Sequence, residues 1–310
     1  MLARAVRSGL TESYHDGAIS VLGRDDSVLF ELGDVERPFF LRSAIKPFQA
    51  TVSLETGLRL TEEQTALACS SHGGQSFHRS VAASILESAG LDESALRCPP
   101  DWPLSQSARL ELVAAGETEP RGIYHNCSGK HSTVLAACVA AGWPVDSYTR
   151  PDHPYQVRVQ ELLAEVTGEP VEPVGVDGCG FPTLRGSVRG LAKAFTRLAF
   201  DERFAAARLA MMAHPAMTSD IDRPEAALMG ALPAAVKGGA VACTGVAVVG
   251  QLGLGAKCWD GSNPALYVGV IHALVGLGVL EAPLADGLEP HAQPVVLGGG
   301  RPAGRLEPAF

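Results

Sequence analysis

The stretch Arg42-Ser43-Ala44-Ile45-Lys46-Pro47 lies where a short extended segment, residues 37–41, gives way to helical spacing over residues 48–55. Ser43 is expected to cap this helix, and Pro47 suits a first turn because the first amides of a helix have no intrahelical acceptor. Residues three apart on a helix share a face, so Lys46 can reach the Ser43 hydroxyl. An uncharged Lys46 amine would accept that proton and make Ser43 a nucleophile. A capping serine followed by a lysine is also common without catalysis.

Outward from this stretch, the sequence predicts strands near both ends and helices between them. Residues 18–22 and 28–32 flank a polar turn and predict a hairpin, and residues 61–64 have the form of a helix capping box. Strand character returns at residues 241–249 and 252–258. Further helices are expected near residues 76–90, 105–115, 130–141, 153–167, 190–213, 224–236 and 264–279.

This order of elements predicts an α/β (α+β) fold, an antiparallel sheet with flanking helices and a helical lobe. A chain of 310 residues suits one large domain or two closely joined ones, and we expect a single domain. We expect its sheet to be built from residues 1–45 and 240–310, with the helical part, residues 46–239, inserted between them. The last extended piece, residues 294–306, should pair with the first strands.

Composition narrows the class of partner. The formal net charge of −9 argues against nucleic acid and anionic lipid as ligands. The N-terminus has no apolar region long enough for a signal peptide, and the most apolar late stretch, residues 265–280, is too short for a confident membrane span. A cytoplasmic protein is therefore expected. Seven cysteines without an export signal make a disulfide framework improbable.

A second candidate hydroxyl lies in the glycine-rich turn Cys69-Ser70-Ser71-His72-Gly73-Gly74. Turns of this kind let hydroxyls and amides approach a ligand closely. Ser71 is the candidate for a second catalytic hydroxyl, and His72 is a candidate for substrate contact. The plainer interpretation is a serine-rich turn in which His72 makes an ordinary hydrogen bond.

Two further turns contain thiols. Cys127 and Lys130 have the spacing of a zinc knuckle with lysine in the second place, and Cys179 follows Asp177 in a glycine-rich turn. Cys127, Lys130 and Cys179 could hold zinc and leave a fourth position for water or substrate, as catalytic zinc sites do. A lysine must lose its proton to bind metal, which a dication promotes. With only three candidate ligands, isolated thiols in tight turns are the alternative.

Lysine is rare in this chain, with five residues among 25 basic ones, so each is less easily dismissed as surface filler. Lys257 ends an apolar strand before Trp-Asp-Gly-Ser. Penicillin-binding proteins and class A β-lactamases combine Ser-x-x-Lys with a Lys-Thr-Gly in such a strand. Lys257 could thus lie beside Lys46, where two ammonium groups would depress each other's pKa and free one amine as a base. An ordinary lysine at a strand end is the alternative.

Taken in order, five motifs make the chain resemble the bacterial L-asparaginase II family of the rhizobial, thermolabile type. They span nearly the whole sequence: Arg-Ser-Ala-Ile-Lys-Pro-Phe-Gln-Ala, Cys-Ser-Ser-His-Gly-Gly, Asn-Cys-Ser-Gly-Lys-His, Val-Asp-Gly-Cys-Gly-Phe-Pro and Gly-Leu-Gly-Ala-Lys-Cys-Trp-Asp-Gly. One departure is the closing segment, residues 295–301, which lacks the asparagine expected before its glycines.

The resemblance implies a fold similar to that of serine β-lactamases and glutaminases, a homodimer, and hydrolysis of L-asparagine to L-aspartate and ammonia. It implies Ser43 as the acyl-forming nucleophile beside Lys46, and Ser71 with Lys257 as a second Ser-Lys pair. It also implies that Cys127, Lys130 and Cys179 bind zinc, with Asp177 nearby. The charges of Arg42 and Asp177 suit the α-amino and α-carboxylate groups of an amino acid.

Two alternatives stay open at this stage. One is another Ser-x-x-Lys amidohydrolase that acts on glutamine, a β-lactam or a peptide. The other is a non-catalytic zinc-binding protein in which the serines and lysines are incidental. Turnover of asparagine against glutamine would address the first alternative, and metal without amidase activity would favour the second.

Overall fold

The computed structural model describes residues 1–284 and 287–310. Its strands are β1 (Ala3–Arg7), β2 (Leu10–His15), β3 (Gly17–Leu22), β4 (Val28–Leu32), β5 (Phe39–Phe40), β6 (Gly175–Val176), β7 (Pro182–Thr183), β8 (Arg185–Gly186), β9 (Ala234–Gly239), β10 (Cys243–Val248), β11 (Leu252–Cys258), β12 (Val295–Gly298) and β13 (Arg301–Pro308). Its α-helices are α1 (Lys46–Glu55), α2 (Glu62–Ala68), α3 (Ser76–Ser88), α4 (Gln106–Ala114), α5 (Ser128–Ala141), α6 (Pro154–Thr167), α7 (Val188–Phe200), α8 (Ala205–Ala213), α9 (Pro215–Thr218), α10 (Pro224–Ala231), α11 (Asn263–Gly276) and α12 (Glu289–Ala292).

The central sheet has five antiparallel strands in the order β4-β3-β11-β10-β9. Strands β3, β10 and β11 are buried along their whole length, because helices cover both faces of the sheet. Helix α7 lies so close to one face that a Cβ added at Gly253 would be 2.1 Å from the Thr196 nitrogen. Gly269 of α11 lies against Ile19 on the other face. The predicted class, an antiparallel sheet with flanking helices, is confirmed.

The chain termini form a second antiparallel sheet, in the order β12-β13-β1-β2. Strand β1 pairs with β13, with Ala3 opposite Pro308 and Arg7 opposite Gly304. The expected pairing of the terminal segments is therefore present, although in a sheet of its own instead of one sheet shared with β3 and β11. The outer strand β2 reads Leu-Thr-Glu-Ser-Tyr-His and is largely exposed, which explains why it lacks a clear hydrophobic pattern.

Two predicted helices have different bounds in the structure. The helix expected over residues 224–236 ends at Ala231, because Leu232 precedes a proline and takes the extended conformation that this position favours. Strand β9 follows and becomes one edge of the central sheet. The helix expected over residues 190–213 is divided at Asp201, whose extended backbone ends α7 and whose side chain accepts a hydrogen bond from the Arg203 amide.

The turn that contains Ser43 joins the central sheet to the helices. Residues Arg42–Ile45 form a short 3₁₀ turn that runs into α1. The sequence predicted Ser43 as the helix cap, but that position belongs to Ile45, which makes no side-chain capping bond. Strand β9 packs against this turn, since a Cβ added at Gly239 would lie 3.2 Å from the Ala44 nitrogen. Across the described ranges, no helix is long and apolar enough to span a membrane.

Candidate active site

The Ser71 hydroxyl lies between two lysine amines. Lys46 Nζ donates to Ser71 Oγ at 3.0 Å from the first turn of α1, and Lys237 Nζ donates to the same oxygen at 2.9 Å from strand β9. Both lysines are buried, with side chains at most 3% exposed. Lys46 also donates to the Ser70 carbonyl at 2.5 Å, and Lys237 donates to the Gly238 carbonyl at 2.7 Å. One hydroxyl thus receives hydrogen bonds from two amines of distant sequence position.

The environment of Lys237 favours an uncharged amine. Burial, reinforced by the positive charge of Lys46, lowers the pKa of Lys237 to about 7, while the negative charge of Glu225 opposes the shift. An amine with this pKa exists in both protonation states at neutral pH. Such a group can accept a proton from a hydroxyl and return it, which is the requirement for a general base and acid.

The expected Ser71–Lys257 pair is corrected to Ser71–Lys237. Lys257 lies on β11, opposite Cys243 of β10, and β9 with Lys237 is the next strand beyond β10. The Lys257 amine turns away from Ser71 and donates to the Cys258 carbonyl at 2.8 Å and to the Val241 carbonyl. It also faces the ring of Phe39 at 6.0 Å. The distance between strands β9 and β11 thus separates Lys257 from Ser71.

Lys237 was missed because residues 224–236 were assigned to a helix, which placed it just after a helix end. A signal was present in the sequence. Lys237 is one of only five lysines in the chain, and Lys237-Gly238-Gly239 has a glycine two residues after the lysine, as Lys-Thr-Gly does. Recognising Pro233 as a helix stop would have turned the Ala-Ala-Val-Lys run into a strand.

Ser43 and Ser71 line one cavity of about 260 Å³. Within the described residues the Ser43 side chain has no hydrogen bond to Lys46 or Lys257, so its expected direct bond to Lys46 is not formed. The cavity is smaller than the ~300 Å³ at which sites for drug-sized ligands begin, and it suits a small molecule. Its other lining residues are Leu104, Asn126, Arg223, Glu225, Gly238, Gly239, Ala240 and Asn263.

Cys127, Lys130 and Cys179 come together next to this cavity, as the zinc hypothesis requires. The Cys127 and Cys179 thiols share a hydrogen bond, and Lys130 Nζ lies 3.2 Å from Cys179 Sγ. The bond to Cys179 and the charges of Lys46 and Lys130 hold the pKa of Cys127 well below its usual range, despite burial. Two cysteine sulfurs and a lysine nitrogen can bind zinc once they are deprotonated, so these three residues fit the ion. Lys46 Nζ lies 3.2 Å from Cys127 Sγ and connects this group to Ser71.

Arg42 and Asp177 bind each other. Arg42 Nε and Nη2 donate to Asp177 Oδ1 at 2.9 and 2.6 Å. Burial raises the pKa of Asp177, but the hydrogen bond and charge of Arg42 outweigh it and the net direction is downward. Arg42 has φ +52°, which is unusual for a residue with a side chain, and this bond helps to hold the turn before Ser43. Because Arg42 and Asp177 neutralise each other, they are poorly placed to bind the α-carboxylate and the α-ammonium of an amino acid.

The amino-acid sequence at residues 3–308 matches the family model described as L-asparaginase II. The chain belongs to the L-asparaginase II family. This confirms the family that the ordered motifs indicated, and it supports an amidohydrolase activity. No curated protein sequence matches the chain.

Among solved structures, this L-asparaginase II family member is similar to several forms of a protein named Mglu. The native form is 14% identical over 90% of this chain and 68% of that chain, with a TM-score of 0.47. The glutamate form is 14% identical over 89% of this chain and 64% of that chain, with a TM-score of 0.48. The tris and glutamate form is 12% identical over 90% and 64%, with a TM-score of 0.47. The chain thus spans roughly two thirds of the length of these proteins.

His72 is buried beside helix α5. Its Nε2 is 3.1 Å from Ser128 Oγ, its ring stacks on His78 with centroids 5.0 Å apart, and its Nδ1 has no partner within the described part of the chain. Burial holds the pKa of His72 well below its usual range, so the ring is neutral. His72 is not among the residues that line the cavity, and its role in substrate contact stays a prediction.

A second group of potential metal ligands lies at the end of β11. His15 Nδ1 is 2.6 Å from Asp260 Oδ2, and Cys258 Sγ is 3.0 Å from Asp260 Oδ1. The donor atoms of these three residues lie within 4.8 Å of one another. The Asp260 carboxylate also accepts a hydrogen bond from the Ser262 amide at 2.9 Å. This cluster is separate from Cys127, Lys130 and Cys179, which were the predicted ligands.

Proposed function

We propose that this chain hydrolyses L-asparagine to L-aspartate and ammonia through a serine acyl-enzyme. Ser43 is the nucleophile, and Ser71, Lys46 and Lys237 move its proton. The observation that carries the proposal is the Ser71 hydroxyl, held by two buried amines at 3.0 and 2.9 Å on the cavity that Ser43 also lines. Membership of the L-asparaginase II family supports an amidohydrolase.

Ser43 is chosen over Ser71 as the nucleophile by comparison with three sequence motifs of known serine enzymes. Class A β-lactamases and penicillin-binding proteins combine Ser-x-x-Lys with a second serine and a Lys-Thr-Gly. Here Ser43 and Lys46 supply the first part, Ser71 supplies the second, and Lys237-Gly238-Gly239 has the form of the third. Ser71 contacts both lysines, which suits a hydroxyl that passes protons between them.

In the acylation step, Ser43 Oγ attacks the side-chain amide carbon and its proton moves through Ser71 to a lysine amine. The Ser43 amide is at the start of the 3₁₀ turn, where helical amides lack an intrahelical acceptor, and it is the proposed donor to the oxyanion. The carbon–nitrogen bond then breaks, and the same proton goes to the leaving nitrogen to give ammonia. Water attacks the resulting ester and releases aspartate, which restores Ser43.

We also propose that a zinc ion binds next to the reacting serines and lysines. Cys127, Lys130 and Cys179 would hold it, and when bound it would supply Lewis-acid polarisation of a substrate oxygen. Lys46 lies between Cys127 and Ser71 and would keep its amine near the reacting hydroxyls. The requirement for zinc in turnover is a separate question from its binding.

The test is ammonia release from L-asparagine by wild type, Ser43→Ala and Ser71→Ala, with Ser107→Ala on the exposed surface as the matched control. We expect Ser43→Ala to be inactive with an intact fold, and mass spectrometry of quenched wild type to show a covalent adduct on Ser43. Near-normal turnover of Ser43→Ala would overturn its assignment. An adduct on Ser71 that persists in Ser43→Ala would make Ser71 the nucleophile.

The same assay with L-glutamine, a β-lactam and a peptide amide separates the alternative amidohydrolases, and asparagine should be the best substrate. Bound zinc with no amidase activity towards any of them would favour the non-catalytic alternative. A homodimer is proposed from the family resemblance, and the mass of the protein in solution tests the oligomeric state.

A further inference from the structure

The cavity beside Ser43 and Ser71 contains a pair of opposite charges that the proposed chemistry does not use. Arg223 precedes helix α10 and Glu225 lies in its first turn, and both line the cavity. Arg223 Nε and Glu225 Oε2 are 3.5 Å apart, which is longer than a good hydrogen bond. The two charges are therefore near each other without being fully engaged.

Glu225 is buried, and one of its two carboxylate oxygens lacks the hydrogen bonds that a buried carboxylate oxygen normally has. Its side chain is 6% exposed, and its Oε2 has no hydrogen-bond partner among the described residues. Removing a carboxylate from water is costly unless it is paired and hydrogen-bonded. An incoming ammonium group would provide the missing partner.

The backbone around Glu225 is shaped to admit the carboxylate. A Cβ added at Gly238 would lie 2.2 Å from Glu225 Oε1 and 3.0 Å from the Tyr267 hydroxyl. Gly238 follows Lys237 directly on β9, so the carboxylate is held beside the strand that supplies the catalytic amine. The space that the glycine leaves is thus occupied by the charged end of Glu225.

Arg223 complements this anion with a group suited to another carboxylate. Its side chain is 40% exposed, and within the described residues its closest acidic partner is Glu225 at 3.5 Å. A guanidinium presents a planar fork of donors that matches a carboxylate in two hydrogen bonds. Across one small cavity, the protein offers an anion and a cation next to its reactive hydroxyls.

We infer that Glu225 and Arg223 form the subsite for the zwitterionic head of an L-α-amino acid, with Glu225 binding the α-ammonium and Arg223 the α-carboxylate. This inference rests on the proposed function, whose substrate it specifies. It replaces Arg42 and Asp177, which the sequence suggested for this task and which are bonded to each other. The side-chain amide of the bound amino acid would then extend towards Ser43 and Ser71.

Matched analogues test each half of the subsite. Succinamic acid is asparagine without its α-amino group, and 3-aminopropanamide is asparagine without its α-carboxylate. Wild type should prefer asparagine over each analogue in kcat/KM by about 10- to 100-fold, the range expected for one lost hydrogen bond to a charged group. Glu225→Gln should collapse the preference over succinamic acid, and Arg223→Met should collapse the preference over 3-aminopropanamide.

Charge-conserving and neighbouring variants exclude a purely structural effect. Glu225→Asp and Arg223→Lys should restore part of each preference, and Asp222→Asn, an exposed neighbour, should leave both preferences as in wild type. A variant that only weakens the fold would lower the activity towards all substrates and keep the ratios. Retention of the wild-type ratio in folded Glu225→Gln would overturn the inference.

Binding separates this inference from the proposed reaction. Calorimetry on Ser43→Ala protein should show L-aspartate binding at least tenfold more tightly than succinate, and Glu225→Gln should abolish that difference. If wild type releases no ammonia from asparagine but still prefers aspartate, the proposed reaction fails and the subsite stands. If asparagine is hydrolysed but aspartate and succinate bind equally, the subsite fails and the reaction stands.

Discussion

Two regions of this protein place a buried lysine next to a cysteine, and they differ in what the lysine faces. Near Ser71, Lys46 and Lys237 converge on one hydroxyl, and Lys46 also contacts Cys127. Near Cys258, the Lys257 amine is surrounded by carbonyl oxygens and aromatic rings. Around Lys257, carbonyl oxygens accept hydrogen bonds from the amine and favour its charged form. Around Ser71, the amines of Lys46 and Lys237 lie on either side of one hydroxyl oxygen, and their positive charges would repel each other. The residue types alone do not distinguish the two regions. The group that accepts the hydrogen bond of each lysine amine does.

Removing the two lysines in turn should produce the largest contrast. We expect Lys237→Met to lower kcat for asparagine by about 100-fold or more, the usual contribution of a general base. Lys257→Met should lose much less, because Lys257 does not contact Ser71. Lys193→Met, on helix α7, is the control. Steady-state ammonia release measures all three, and equal losses for Lys237→Met and Lys257→Met would restore the pairing expected from the sequence.

Metal content should distinguish the same two regions. Cys127→Ala and Cys179→Ala should lose bound zinc, since each removes one of the proposed sulfur ligands. Cys258→Ala should retain it, because Cys258 is not one of the proposed ligands Cys127, Lys130 and Cys179. Cys138→Ala, in helix α5, controls for the loss of a buried thiol. Elemental analysis of purified proteins gives the result, and zinc lost only from Cys258→Ala would move the metal to His15, Cys258 and Asp260.

The pH dependence should show a smaller effect centred on Lys237. Its pKa of about 7 makes the amine protonated and inactive as a base below neutrality, so kcat/KM should rise by about tenfold per unit until that pKa and then level. The charges that influence Lys237 are Lys46, Glu225, Arg223 and Cys127. Because Glu225 raises the pKa of Lys237, Glu225→Gln should shift the rising part of the kcat/KM profile to lower pH. A rising part that stays in place would mean that another group controls the rate.

Most of the fold was predictable from local patterns. The hairpin of β3 and β4, the capping box at Thr61 and strands β10 and β11 all follow from short-range periodicity and turn chemistry. The exposed strand β2 and the short strand β9 lack a distinctive pattern, and their assignment depends on the sheets that they complete. The separation of the terminal strands from the central sheet is likewise a property of long-range pairing.

The candidate site was predictable in its residue types but not in its pairings. Ser71, Lys46 and the Cys127, Lys130 and Cys179 group were identified because rare or reactive residues occurred in glycine-rich turns. Lys237 was hidden by one wrong helix boundary, and the mutual bond of Arg42 and Asp177 joins residues that are 135 positions apart. Which charge neutralises which is decided by distances that a linear sequence does not contain.

Gly238 has a consequence beyond the site itself. It lies in strand β9 and does not have the left-handed backbone conformation that would require a glycine. A glycine is needed here because the Glu225 carboxylate occupies the space that a side chain would fill. Glycine inside a strand loses more conformational entropy on folding than other residues. The edge of the central sheet is therefore locally weakened by the room that it leaves for a charge, and an alanine at that position would have to displace the Glu225 carboxylate.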